Sequence, residues 1–401
     1  MILLGFIIAG VIGGVVAGWM WGSAMQQTAW LGTLFLNALK MMIIPLILAA
    51  VISGVASLGD VRKLGRIGGA SLLYYLTTTA IAVLIGLIMV NIIQPGAGLQ
   101  LNDGEIPQSI LEKKDTGISD ILLSLISPNL IASAAETQLL PIIVFAILFA
   151  AALTTIGERG AHVIKFFDGV NDAMMKLVIW LMYFAPVGIF ALVAGRLGKA
   201  GGGEAFIAEI MAVGWHVVTV LSGLAIHFIV LLLILFFIAG RGLDYLVTML
   251  RALLTAFGTA SSSATLPLTM ECVRENKVDD RAVRFVVPLG STVNMDGTAL
   301  YEAAAVLFIA QAYGIDLSIG QQTIVFITAT LAAIGAAGIP EAGLVTMIIV
   351  LNAVGLPLEG IGLLLAVDWF LDRFRTTVNV WGDAVGAAVI HRILPQSSAS
   401  S

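Results

Sequence analysis

Residues 361–390 read IGLLLAVDWFLDRFRTTVNVWGDAVGAAVI, and this apolar run nonetheless carries Asp368, Asp372, Arg373, Arg375, Asn379 and Asp383. At about 100° per residue, Asp368, Asp372, Arg375, Thr376, Asn379 and Asp383 fall within an arc of roughly 100°, so a helix here has one polar face. Val367, Phe370, Leu371, Phe374, Val378 and Trp381 form the opposite face, able to meet lipid or protein, and Arg373 lies off the polar stripe. The rest of the chain decides how the stripe is read. Hydrophobic residues make up 59% of the 401 and charged residues only 11%, and the mean hydropathy is +1.03. Repeated apolar runs of spanning length place the chain among polytopic membrane proteins. Charges inside a membrane span mark function rather than a solvated helix face.

Other chemistries find little support. Cys272 is the single cysteine and lies among Glu271, Arg274, Glu275 and Lys277, where it reads as an ordinary thiol in a soluble-side loop with no internal disulfide partner. The four histidines are scattered, and His216 and His227 read as plain helix residues rather than a metal centre. A net charge of −5 says little about partners, and no nucleic acid is expected. Ile2 to Trp19 has no basic flank and no small-residue cleavage site, so it reads as a first span.

Hydropathy places further spans near residues 30–57, 67–94, 119–155 (broken), 165–195 and 205–239. Basic residues 62, 63, 66, 159, 165, 241, 251, 274, 277, 281, 284 and 392 are assigned to one side and 113, 114, 196 and 199 to the other. The positive-inside rule then puts both termini in the cytoplasm. Asp103 to Asp120 reads as an external loop, and Ser397 to Ser401 as a frayed tail.

After residue 240 the apolar runs shorten. Tyr245 to Phe257 leads into Gly258 to Pro267, and Gln322 to Ile334 leads into Gly335 to Gly343; each half is too short to cross, so each pair reads as a hairpin that dips in and returns. Between the hairpins, Phe285 to Ala312 is split near Gly290 to Thr298. Unwound backbone survives at membrane depth only where protein or water satisfies it. A hairpin followed by a helix, occurring twice, is the pattern of an inverted repeat with its binding site at the midplane.

Arg375 offers a planar fork suited to a carboxylate, Asp372 can accept from an ammonium, and Asn379 can donate to a second carboxylate. Ammonium and two carboxylates describe an acidic amino acid. Ser261, Ser262 and Ser263 add hydroxyls and free N–H groups at one hairpin tip, while the stretch from Gly338 to Gly343 at the other supplies backbone that could close as a lid. Asp296, Asn294, Asn379 and Asp383 are hard oxygen donors without a soft one, fitting sodium or protons. Glu302, in an apolar helix, is a candidate proton carrier because charging it there costs desolvation.

These residues resemble the dicarboxylate/amino acid:cation symporter family, which includes the excitatory amino acid transporters and their archaeal aspartate-transporting relatives. The resemblance runs from Leu39-Lys40-Met41-Met42-Ile43-Ile44-Pro45 through Pro95-Gly96-Ala97-Gly98 to the last helix. It is carried by Ser261-Ser262-Ser263-Ala264-Thr265-Leu266-Pro267, Asn294-Met295-Asp296-Gly297-Thr298, Gly338-Ile339-Pro340 and Asp368 to Asp383. It implies an all-α membrane protein of eight transmembrane helices plus two re-entrant hairpins, built on inverted repeats and assembled as a homotrimer among membrane lipids. The implied parts are 1–66, scaffold helices 1 and 2; 67–94, transport-domain helix 3; 119–239, scaffold helices 4 and 5 with helix 6; and 243–396, the transport-domain core of two hairpins and helices 7 and 8. That core would slide like an elevator, with the hairpins as gates.

Position by position, the resemblance assigns the substrate amino group to Asp372, its side-chain carboxylate to Arg375, and its α-carboxylate to Asn379 and Ser262. Thr298 and Thr376 would line the same pocket, with Gly343 at the lid. One sodium site would use Asp383, Asn379 and the backbone of Gly290 and Asn294. A second would use Tyr75, Thr78, Thr79, Asn294 and Asp296. A third would use carbonyls around Thr292, Ala333, Ile334 and Ala336, where Ala333 replaces a common family serine. Ala260 stands where archaeal members carry an arginine, and Arg373 stands where they carry none; Glu302 replaces their glutamine. Both departures match eukaryotic members and point to sodium (Na+) and proton coupling, with potassium (K+) counter-transport a further implication. The short loop at 103–120 points to a prokaryotic inner membrane.

Arg375 argues against neutral substrates, and Asp372 against a C4-dicarboxylate lacking an amine, although a proton-coupled glutamate or C4-dicarboxylate symporter without sodium is the alternative within transport. An intramembrane aspartyl protease is disfavoured because Val380 stands where a Gly-x-Gly-Asp pattern needs glycine. The residues therefore point to transport of glutamate or aspartate, not catalysis.

Overall fold

Every described secondary-structure element in the computed structural model is helical; the described residues are 2–56, 65–99, 123, 125–136, 138–199, 203–335 and 342–394. The readings of basic residues 62 and 63, of the external loop at 103–120, of the lid stretch over 338–341, of Ala336 and of the tail at 397–401 lie outside them. The helices are α1 (Ile2–Trp21), α2 (Ala29–Ala56), α3 (Gly65–Ile93), α4 (Leu130–Ala135), α5 (Leu139–Thr155), α6 (Glu158–Met182), α7 (Ala185–Lys199) and α8 (Gly203–Ile234), the last extended by a π turn over Leu235–Ala239. Beyond residue 240 follow α9 (Leu243–Thr259), α10 (Ser262–Glu275), α11 (Asp280–Val293), α12 (Asp296–Ala312), α13 (Ile319–Ala332), α14 (Ala342–Val354) and α15 (Ile361–Ile393).

The expected span over 165–195 is two helices instead. α6 begins at Glu158 and ends at Met182, and α7 begins at Ala185. Pro186 explains the break, because it has no N–H to give the Met182 carbonyl one turn back. The interruption expected within 119–155 falls between Ala135 and Leu139; the short α4 before it is capped at its other end by the Asn129 side chain, which accepts from the N–H groups of Ile131 and Ala132.

The helices sort into two packed groups. α2 lies against α5, α6 and α7, and α1 lies along α7. The second group surrounds α12: α3 runs beside it, α15 packs on α8, α9, α11 and α12, and α13 pairs with α14. Every residue of α12 except Gln311 is buried. The groups meet where α1 and α7 touch α15 and where α2 and α5 touch the α13–α14 pair, α2 also meeting the turn after α13. Outward faces of α1, α2 and α8 expose Trp19, Met20, Trp30, Met41, Ile229 and Phe237, as hydrocarbon contact requires. Among the described residues, Ile67–Ile93 and Ile210–Ala239 are long and apolar enough to span a bilayer.

Helix pairs occupy both stretches read as hairpins. α9 turns at Ala260 and Ser261 into α10, and α13 ends in a 3-10 turn over Ala333–Gly335 ahead of α14. The expected split between them also occurs, since Asn294 and Met295 leave helical geometry (φ −104°, ψ 81° and φ −109°, ψ 55°) between α11 and α12.

Candidate functional site

The polar stripe of α15 is buried along its length: Asp368, Asp372, Arg375, Thr376, Asn379 and Asp383 are each no more than 6% exposed. Its other face does not serve lipid alone, because Leu371, Val378 and Trp381 are buried as well. Protein encloses the helix, so its charges must be balanced by one another or by what they bind.

Arg375 is the centre of the upper half. Its Nη1 donates to Asp368 Oδ1 at 2.8 Å and its Nη2 to Asp372 Oδ1 at 2.9 Å. The guanidinium carbon sits 4.0 Å from the Tyr301 ring centroid, a cation–π contact. Nε makes no hydrogen bond among the described residues. The sequence had left Asp368 without a role, although its spacing of seven from Arg375 places it two turns away on the same face. Gly343, at the start of α14, comes so close that a Cβ there would lie 3.0 Å from Arg375 Nη1. A side chain there would push the guanidinium by a few tenths of an ångström.

Asn379 joins α15 to the start of α12. Its Oδ1 accepts from Gly297 N–H at 2.7 Å, and its Nδ2 donates to Thr298 Oγ1 at 3.2 Å and Met295 Sδ at 3.3 Å. Thr298 and Thr376 are buried in the same region. At the first hairpin tip, Ser261 caps α10 by accepting from Ala264 N–H at 3.2 Å. Ser262 is buried, whereas Ser263 is exposed.

The lower half gathers oxygens around two further carboxylates. Asp296 Oδ1 accepts from Thr79 Oγ1 at 2.7 Å and lies 3.3 Å from Thr78 Oγ1, which is also 3.3 Å from Asn294 Oδ1. Asn294 Nδ2 donates to Asp383 Oδ1 at 3.0 Å, linking the two acids. Gly290 packs against both Asp383 and the Tyr75 hydroxyl, and that hydroxyl donates to Val286 O at 2.6 Å. Thr292, at the end of α11, belongs to the segment that packs on the Ala333–Gly335 turn, where Ala333 and Ile334 are buried.

Two features went unread in the sequence. His227 Nε2 donates to Asp296 Oδ2 at 2.9 Å, a partner for this carboxylate from a helix read as carrying only plain residues. Arg373, off the stripe, donates to the carbonyls of Phe257 and Gly258 at 3.0 and 2.9 Å, closing the end of α9. Glu302 is fully buried with Thr346 of α14 as its polar neighbour.

A buried guanidinium, clustered carboxylates and a broken helix thus meet at one locus of a helical protein. The chain belongs to the sodium:dicarboxylate symporter family, whose model matches residues 3–393. It is 40% identical to mouse (Mus musculus) excitatory amino acid transporter 3 over 417 residues, covering 90% of this chain and 78% of that protein. The human (Homo sapiens) form is 40% identical over 415 residues, covering 90% and 78%, and an excitatory amino acid transporter of Caenorhabditis elegans is 40% identical over 412, covering 90% and 80%. The chain is thus a multi-pass membrane protein of a sodium-dependent symporter family.

Proposed function

We propose that the protein imports glutamate or aspartate, driven by sodium and protons, through an elevator movement of α3 and α8–α15 against α1, α2 and α5–α7. Arg375, held by two carboxylates, carries this reading. Asp368 and Asp372 orient the guanidinium while its Nε–H and second Nη hydrogens stay available to a substrate carboxylate. The ammonium then has Asp372, and the α-carboxylate has Asn379 and the Ser262 turn.

Charge explains why cations travel too. Among the described residues Asp296, Asp368, Asp372 and Asp383 are buried, with Arg375 as the buried guanidinium, and an acidic amino acid brings a further net negative charge. Burying that excess without counter-charge is costly, so sodium ions are carried as co-substrates beside Asp296 and Asp383. The oxygens of Thr78, Thr79 and Asn294 suit a hard monovalent ion. Glu302 supplies a carboxyl for a carried proton, with potassium returning the empty carrier. The backbone around Thr292, Ala333 and Ile334 is the third place for sodium. A homotrimer in the inner membrane, both termini cytoplasmic, completes the reading, with two re-entrant hairpins and eight spans.

Calorimetric titration of the purified protein with L-aspartate and L-glutamate tests this. Affinity for at least one should fall more than tenfold when choline replaces sodium. Equal affinity in both salts would remove the sodium coupling.

A further inference from the structure

Where the π turn after α8, the loop between α10 and α11 and the last turn of α15 meet, a cavity of about 540 Å³ is lined chiefly by Gly240, Arg241, Asp279, His391 and Arg392. This end is rich in both charges, yet the acids are already engaged. Asp279 is held by Arg281 at 2.8 and 3.0 Å, Asp280 by Arg274 at 2.9 Å and by Arg284, and Glu275 by Arg251 at 2.5 Å. Arg241 and Arg392 have no carboxylate partner among the described residues.

Both guanidiniums are placed. Arg241 donates to the carbonyls of Asn276 and Lys277 at 3.0 and 3.4 Å, which fixes it in the cavity wall. Arg392 is exposed and lies against Gly240. Asp279 N–H donates to His391 Nδ1 at 3.1 Å, so Nε2 is the nitrogen that carries the ring's proton. Within two residues of the lining stretch Ala239–Arg241 in sequence, Phe237, Ile238 and Leu243 are 82%, 54% and 57% exposed. A cationic recess thus opens next to an apolar outer wall.

We propose that this cavity binds the phosphate of an anionic phospholipid, held between Arg241 and Arg392 with His391 Nε2–H as a third donor and the acyl chains along Phe237, Ile238 and Leu243. Paired guanidiniums suit a phosphodiester, and the basic end of a membrane protein is where anionic headgroups gather. The apolar wall favours a lipid over a soluble anion. Bound there, the lipid would tie the substrate helix α15 to the base of the first hairpin.

The purified protein in neutral detergent is titrated with dioctanoyl phosphatidylglycerol, dioctanoyl phosphatidylcholine and inorganic phosphate. Phosphatidylglycerol should bind about tenfold or more tightly than phosphatidylcholine. Arg392→Gln should weaken it about tenfold, as loss of a charged hydrogen-bond donor does, and Arg392→Lys should recover part of the loss. Arg284→Gln, at a paired surface arginine, should leave it unchanged. Equal binding of the two lipids, or phosphatidylglycerol affinity unmoved by Arg392→Gln, would overturn the site. Inorganic phosphate displacing the lipid at equal concentration would overturn the lipid assignment.

Discussion

Arg375 is buried completely, with Asp368 and Asp372 on its two Nη atoms, so its removal affects both binding and balance. Arg375→Cys should reduce uptake of acidic amino acids by about 100-fold or more, since each charged hydrogen bond lost is worth about 1.5–3 kcal/mol. Radiolabelled uptake compared with a small neutral amino acid reads this; selective acidic uptake at the wild-type rate would refute the role. Glu302→Gln keeps the shape and removes the titratable proton, so uptake should cease to respond to an imposed pH gradient while sodium dependence persists. The stripe on α15 was legible because one helix sets its own spacing. His227 was not, since Asp296, its partner, lies 69 positions away in sequence and on another helix; no periodicity within an apolar helix announces such a pair. Asp368 was visible on the stripe, but only the folded rotamer of Arg375 gave it a partner.

At the scale of elements, the first hairpin turns through Ala260 at φ +49°, a left-handed conformation that costs a non-glycine residue about 1 kcal/mol. Ala260→Gly should therefore raise the thermal midpoint in detergent, provided the hairpin unfolds with the rest. Arg373→Ala should act oppositely: freed of their donor, the Phe257 and Gly258 carbonyls should speed amide exchange at the end of α9 and lower stability by about 1–2 kcal/mol. A thermal unfolding curve in detergent reads the first, and hydrogen exchange followed by mass spectrometry the second. The two hairpins and the Asn294–Met295 break were legible because glycine, serine and proline interrupt apolar runs visibly. The break between α6 and α7 was not, because hydropathy runs on through Tyr183 and Phe184 and only the missing Pro186 N–H stops the helix.

The described helices divide into two groups, and an elevator requires them to slide along the contacts between them. Gly362 on α15 meets Leu192 on α7 so closely that a Cβ at Gly362 would lie 3.4 Å from the Leu192 Cβ, close to disulfide geometry. A Leu192→Cys, Gly362→Cys pair should arrest uptake when oxidised and release it on reduction; full-rate uptake by the cross-linked protein would exclude sliding at this contact. Class and motif order were legible across the chain because membrane burial forces composition, whereas the grouping of helices depends on contacts no linear pattern carries. The central claim is coupled transport of an acidic amino acid. Uptake of radiolabelled aspartate and glutamate into proteoliposomes, with an inward sodium gradient and internal potassium exchanged for choline in parallel, tests it most directly. Sodium-driven accumulation that falls without internal potassium is the expected result, and uptake indifferent to sodium but driven by a pH gradient would contradict it.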